Sequence, residues 1–129
     1  MSTDLESSLK NFNNAISKFS RKLISEDLVT FHKTIALLVL RGVVLKTPVD
    51  TGRARGNWQV TINNQAEGEV DPRDSISAGQ QQLASIKPFD VVWISNNVPY
   101  IEFLEEGSST QAPEGMLALT LEEITRIFP

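Results

Sequence analysis

Leu5, Leu9, Phe12, Ile16, Phe19 and Leu23 stand four, three, four, three and four residues apart. That spacing lays one apolar stripe along a helix whose other faces carry Ser, Asn, Lys and Glu. Thr3 or Asp4 can cap its start with a side-chain oxygen. The stripe is narrow, near a coiled-coil seam. The plain reading packs it on its own domain; the sharper one packs it on a neighbouring subunit. Ser25 followed by Glu26 and Asp27 predicts a second helix start, with acids at the positive end of the dipole. This helix is expected to run to about Lys46, because Pro48 disfavours helix at Thr47. Leu28, Phe31, Ile35, Leu38, Gly42 and Leu45 share one of its faces. Val29, Ala36, Leu40, Val43 and Val44 widen the apolar surface nearly all round, as in a core helix covered on two sides.

The period then changes. Trp58, Val60 and Ile62 alternate with Gln59, Thr61 and Asn63, which predicts a half-buried strand. Residues 63–74 are rich in turn formers, and 75–87 (SISAGQQQLASIK) read as a short helix or an ordered excursion. Residues 90–95 (DVVWIS) form a second strand, with Val91 and Trp93 on one face and Val92 and Ile94 on the other; both faces are expected to be covered. Residues 99–107 (PYIEFLEEG) suit one or two helical turns, with Pro99 at the first helical position and Gly107 just past the end. Pro113 opens a final helix with Leu117, Leu121, Ile124 and Phe128 on one face.

This order gives an α+β fold: N-terminal helices and a C-terminal helix packed on a small antiparallel sheet. At 129 residues the chain is expected to be a single domain, 1–129. Its parts are N-terminal helices at 4–46, a sheet region at 57–96, and a short helix and C-terminal helix at 99–128.

Charge and composition narrow the chemistry. The net charge is −4, against the basic balance of a general nucleic-acid binder. No cysteine is present, so disulfides and thiolate chemistry are excluded. The first residues are polar and acidic, so no signal peptide is expected. The most apolar run, 35–45, is too short to span a bilayer and contains Arg41 and Gly42.

The segment 47–58, TPVDTGRARGNW, concentrates the candidate chemistry. A Walker A loop needs a lysine and a hydroxyl between a strand and a helix; here GRARG lies between a helix and a strand and has neither. The one histidine, His32, has Leu28 and Ala36 a helical turn away, which are not metal ligands. Glu102, Glu105 and Glu106, and again Glu122 and Glu123, read as solvated helix faces. No catalytic constellation emerges; no catalytic, cofactor or metal residues are expected. Asp50 and Thr51 can close a turn on the backbone, and Gly52 and Gly56 permit positive φ. Arg53 and Arg55, with Arg41 and Lys46, form the one locally basic patch. Its plain reading is a tight connector with solvated arginines; the sharper readings are contact with another subunit or with DNA.

Two segments resemble a known family. TPVDTGRARGNWQV, residues 47–60, resembles the P-V-D-T-G-x-x-R-x-x-W signature of small virion proteins of long-tailed bacteriophages. NNVPYIEFLEEGSSTQAPEGMLALTL, residues 96–121, resembles their second signature. The family is that of tail-completion or neck proteins, similar to minor tail protein Z and to tail-component proteins encoded among head–tail joining genes. The residues that carry the likeness are Pro48, Asp50, Thr51, Gly52, Arg55 and Trp58, then Tyr100, Glu106, Gly107, Gln111, Ala112, Pro113 and Gly115. Where many relatives have an aromatic before the glycine, this chain has Glu106.

The resemblance implies a non-enzymatic virion protein without cofactors, assembled in the host cytoplasm. It implies a homo-oligomeric ring, a hexamer, at the head-proximal end of the tail. The expected partners are the tail tube or terminator and the head-completion proteins, with incidental contact to genomic DNA in the lumen and none to a membrane. A tail terminator or head-completion (connector) protein is the alternative role; a cytoplasmic nucleic-acid-binding accessory protein is the alternative of another class. Arg53 and Arg55 are opposite in sign to the turn bearing Glu102 and Glu106. One subunit's arginine loop is expected to meet the next subunit's acidic turn, or else the two pair within a subunit. Segments 64–74 and 108–112 are the candidates for docking on the next ring.

Overall fold

A computed structural model describes residues 2–49, 52–108 and 115–128. In chain order it contains α1 (Ser2–Ser20), α2 (Ser25–Lys46), a 3-10 turn (Arg55–Asn57) and β1 (Trp58–Ile62). These are followed by α3 (Ser75–Leu83), β2 (Val92–Asn96), α4 (Ile101–Phe103) leading into a π turn (Leu104–Ser108), and α5 (Met116–Thr125). The fold is α+β, as the periodicities predict. The strands pair antiparallel with Trp58 opposite Asn96 and Ile62 opposite Val92.

α2 is the centre of the packing, and the face it buries is Ala36, Val39, Leu40, Val43 and Val44. This corrects the expected stripe: Leu38 and Leu45 lie on a ridge that is 36% and 55% exposed. The reason is where its neighbours sit. α3 and the sheet take one side of α2, and α5 takes another. α5 crosses so closely that a Cβ on Gly42 would stand 2.3 Å from Thr120 Cγ2. A side chain at Gly42 would push the helices apart, so the expected stripe is covered at Phe31, Ile35 and Gly42 but not at Leu38 and Leu45. By length and composition alone, Glu26–Lys46 could cross a bilayer, so the limit drawn from residues 35–45 does not hold for the whole helix.

α1 packs on α5, bringing Leu5 and Phe12 to Leu121 and Ile124. Phe19 joins Phe31 and Phe128 in a cluster of rings with centroids 5.0 to 6.0 Å apart. The N-terminal stripe is thus used inside its own domain. α1 starts at Ser2, so Thr3 and Asp4 lie within the helix rather than before it.

The excursion left open at 75–87 is α3, started by Asp74. Its carboxylate accepts from the Ser77 backbone N–H at 3.1 Å and from the Ser77 hydroxyl at 2.9 Å. α3 lies against β1 and α2. Val60, Ile62, Val92 and Ile94 form the core side of the sheet. The other side is not fully covered, contrary to expectation: Val91 is 55% exposed and Trp93 39%. A two-stranded sheet has only one helical layer available here, so its outer face meets solvent at the Trp93 end.

The α2–α5 crossing gives a direct test. Gly42→Ala is expected to lower unfolding free energy by about 1–3 kcal/mol, the usual cost of overpacking. Adding Thr120→Ala, which removes both γ atoms from the collision, is expected to recover most of that loss in urea unfolding. Equal losses in the single and double variants would show that the crossing is looser than described.

Candidate functional site at the interlocked motif segments

Thr47 ends α2 in extended conformation, as a residue before proline favours. Its side chain is fully buried. The hydroxyl donates to the Val43 carbonyl at 2.5 Å and accepts from the Trp58 indole Nε1 at 2.8 Å. Met116 Sδ lies 3.1 Å from the same oxygen. One hydroxyl therefore ties the end of α2 to the first residue of β1 and the first residue of α5. Trp58 is itself buried, so its indole N–H needs this partner.

Between Thr47 and Trp58 several backbone carbonyls accept from side chains. Arg55 turns back on α2: Nε donates to the Thr47 carbonyl and Nη2 to the Leu45 carbonyl, each at 3.1 Å. The guanidinium so caps carbonyls that a helix C-terminus leaves unpaired, where a cation is also favoured by the dipole. The Arg53 carbonyl accepts from Asn57 Nδ2 at 2.9 Å, the Ala54 carbonyl from Asn96 Nδ2 at 2.8 Å, and the Arg55 carbonyl from Ser75 Oγ at 3.0 Å. Gly52 has φ +73°, a region costly for residues with a Cβ. A Cβ on Gly56 would strike the backbone of Pro72 and Arg73 within 2.8 Å. Pro48 is half-buried behind Thr47. Asp50 and Thr51 lie outside the described residues.

The second segment meets the first. Asn96 donates to Ala54 as above. The Arg53 guanidinium stands 5.5 Å from the centroid of the Tyr100 ring and pairs with Glu69 through Nε and Nη2 at 2.8 and 2.6 Å. Glu105 caps α5: its carboxylate accepts from the N–H groups of Leu117 at 2.8 Å and Ala118 at 3.0 Å. Gly115, φ +97°, makes room for that carboxylate; a Cβ there would lie 2.4 Å from Glu105 Oε2.

The segment 64–74, a candidate for docking on the next ring, is held by bonds within the subunit. Val70 N–H donates to the buried Asn57 Oδ1 at 2.8 Å. Gln59 and Asn97 amides both donate to the Gly68 carbonyl, at 2.9 and 3.0 Å. Of the other candidate loop, 109–112 lies outside the described residues.

Several expectations change accordingly. Both arginines are engaged within the subunit, with a helix end, Glu69 and Tyr100 rather than with the acidic turn. Pro99 precedes the cap residue Tyr100 instead of opening α4, and Gly107 falls within the π turn instead of after a helix. Glu105, not Glu106, carries the structural bond. Glu102 and Glu106 are exposed and have no ion-pair partner among the described residues. Gln111, Ala112 and Pro113 lie outside the described residues; α5 begins at Met116. Thr47, Asn57 and Asn96 were not singled out as site residues. Their signal was weak: each is a short polar residue beside an apolar run, the common appearance of a surface position. Among the described residues no group of His, Asp and Glu could hold a metal ion.

Replacing Thr47 by Val keeps its shape but strands the Trp58 indole. The expected loss is about 1–3 kcal/mol in urea unfolding, with Thr47→Ser close to wild type. Arg55→Met and Glu105→Ala are expected to cost about 1 kcal/mol each, the scale of a lost helix cap. Wild-type stability in all of these would contradict the capping roles.

The pH response follows from three carboxylates. The Arg53 guanidinium holds Glu69 below the ordinary glutamate value. The Ser77 N–H and hydroxyl lower Asp74; the Lys87 N–H and the Asn63 amide lower Asp90. A depressed folded value means stability that is present above the unfolded carboxylate value and is lost as pH falls through the folded one. The urea midpoint is therefore expected to drop on acidification, and less steeply in Asp74→Asn and Glu69→Gln. Identical slopes would exclude these groups as its source.

No protein-family model, curated protein or solved structure matches the chain. The family likeness rests on the residues quoted from the two segments.

Proposed function

We propose that this chain is a non-enzymatic structural protein of a long-tailed phage. In this reading it is a tail-completion or neck subunit that forms a ring at the head-proximal end of the tail, joins head to tail, and is assembled in the host cytoplasm. The observation that carries the reading is the interlock of the two family-like segments. Thr47 and Trp58 meet Met116, Ala54 meets Asn96, and Arg53 meets Tyr100. Residues that a catalytic reading would need free are spent on shaping one rigid junction between helices and sheet. That suits a part whose task is to hold a surface in place.

A ring closes through two different surfaces that meet head to tail. With the arginines engaged internally, the outward candidates are other groups. One is the α2 ridge of Leu38, Arg41 and Leu45, apolar with a cation. The other is the turn bearing Glu102, Phe103 and Glu106, apolar with anions; Phe103 is 66% exposed. We infer that the ridge of one subunit receives the acidic turn of the next. A tail terminator or a head-completion protein would use the same two surfaces. The DNA-binding alternative would draw on the same four cations, of which Lys46 pairs with Glu123 at 2.6 Å, Arg53 and Arg55 are held as described, and Arg41 has no partner among the described residues.

The test is the mass of the chain by light scattering, alone and with purified phage tails made without it. Joining the tail end and rendering tails competent for heads is the expected result, with Arg41→Glu failing to join while keeping its melting temperature. Failure of the wild type to join tails, together with salt-dependent DNA binding, would overturn the proposal.

A further inference from the structure

At the far end of the sheet from the junction, Lys87-Pro88-Phe89-Asp90 forms a β-turn closed by Asp90 N–H donating to the Lys87 carbonyl at 3.1 Å. Pro88 occupies the second position, and Phe89 the third with φ +72°. That is the type II arrangement, whose third position favours glycine or asparagine. A phenylalanine there holds a costly backbone conformation. It gains no packing in return, since Phe89 is 99% exposed. The turn is nonetheless fixed. Asp90 accepts from the Lys87 N–H at 2.7 Å and from the Asn63 amide at 3.1 Å, and Asn63 exchanges two further bonds with Val91. A strained backbone, braced from behind, holds an aromatic ring in solvent.

Between the ring and α2 lies a groove of about 270 Å³, walled by Leu28, Val29, Phe31 and His32 of α2, by Ser20, and by Lys87, Pro88, Asp90 and Phe89 itself on the turn. It is larger than the roughly 150 Å³ that suffices for a benzene ring. Projecting ring and ring-sized groove belong to one patch, so the surface complements itself, as a two-fold contact requires. The charges agree. The ring travels with Lys87 and with Asp90, whose carboxylate is turned to the Lys87 N–H and Asn63, while exposed Glu26 and Asp27 stand in the first turn of α2, next to the groove wall at Leu28.

We propose that two copies of this chain pair about a two-fold axis by inserting each Phe89 into the other's groove, with Lys87 of each facing Asp27 of the other. Two inserted rings remove roughly 300–500 Å² and their walls a similar area, about 600–1,000 Å² in all, below the size of a stable specific interface and in the range of weak, transient contacts. The pair is accordingly weak and concentration-dependent. It goes beyond the ring reading, because a two-fold contact uses one patch and does not propagate head to tail.

Sedimentation of the purified chain over a concentration series tests this. The wild type is expected to pass from 14.3 kDa toward twice that mass. Phe89→Asn, which suits the left-handed backbone and deletes the ring, is expected to weaken association at least tenfold with no fall in the melting temperature of the dilute protein. Lys87→Glu and Asp27→Lys are expected to weaken it singly and restore it together, and Arg41→Glu to leave it unchanged. A wild type of single-chain mass throughout would overturn the pairing, as would a Phe89→Asn variant that pairs normally or melts earlier. A Phe89→Asn variant that loses only tail addition, beside a monomeric wild type, would assign the patch to another protein instead.

Discussion

A single buried hydroxyl sets the arrangement of this fold. Thr47 accepts from the Trp58 indole and donates to the last turn of α2, with the Met116 sulfur in contact. An indole N–H buried without an acceptor costs as much as a sizeable part of a small domain's stability. The strand can therefore start only where Trp58 reaches Thr47, and α5 only where Met116 completes the same pocket. The two-stranded sheet, marginal by itself, is fixed by what its first residue is tied to.

From that constraint the helix caps follow. α2 ends abruptly at Thr47, and Arg55 turns back onto its open carbonyls. α5 is preceded by Gly115, a cap residue with no side chain to cap with, and Glu105 supplies the missing acceptor from outside the helix. A cation at one helix end and an anion at the other's start both follow the dipole. Arg55 and Glu105 are thus occupied with capping two helices, and Arg53 with Glu69 and Tyr100.

The fold was legible where the period was long and one-sided: α1, α2, β1 and α5 follow from their apolar spacing. The choice of buried face on α2 was not, because it is apolar nearly all round and Gly42 decides the crossing only through Thr120, far away in the chain. α3 was signalled by Asp74 before Ser77, but the glutamines masked it. The junction was half legible. Its location at TPVDTGRARGNW was visible, yet the partners of Arg53 and Arg55 depend on tertiary distances that spacing does not encode. Nor does sequence distinguish Glu105 from Glu106; only the approach of α5 does.

Indole hydrogen exchange followed by NMR tests the central claim most directly, since the chain carries a buried and a part-exposed tryptophan, Trp58 and Trp93. If the Thr47–Trp58 bond holds the fold together, the Trp58 Nε1 proton exchanges only through global unfolding, with the same free energy as urea denaturation, while that of Trp93 exchanges rapidly. A Trp58 proton that exchanges by local opening, well below the global value, would contradict the account.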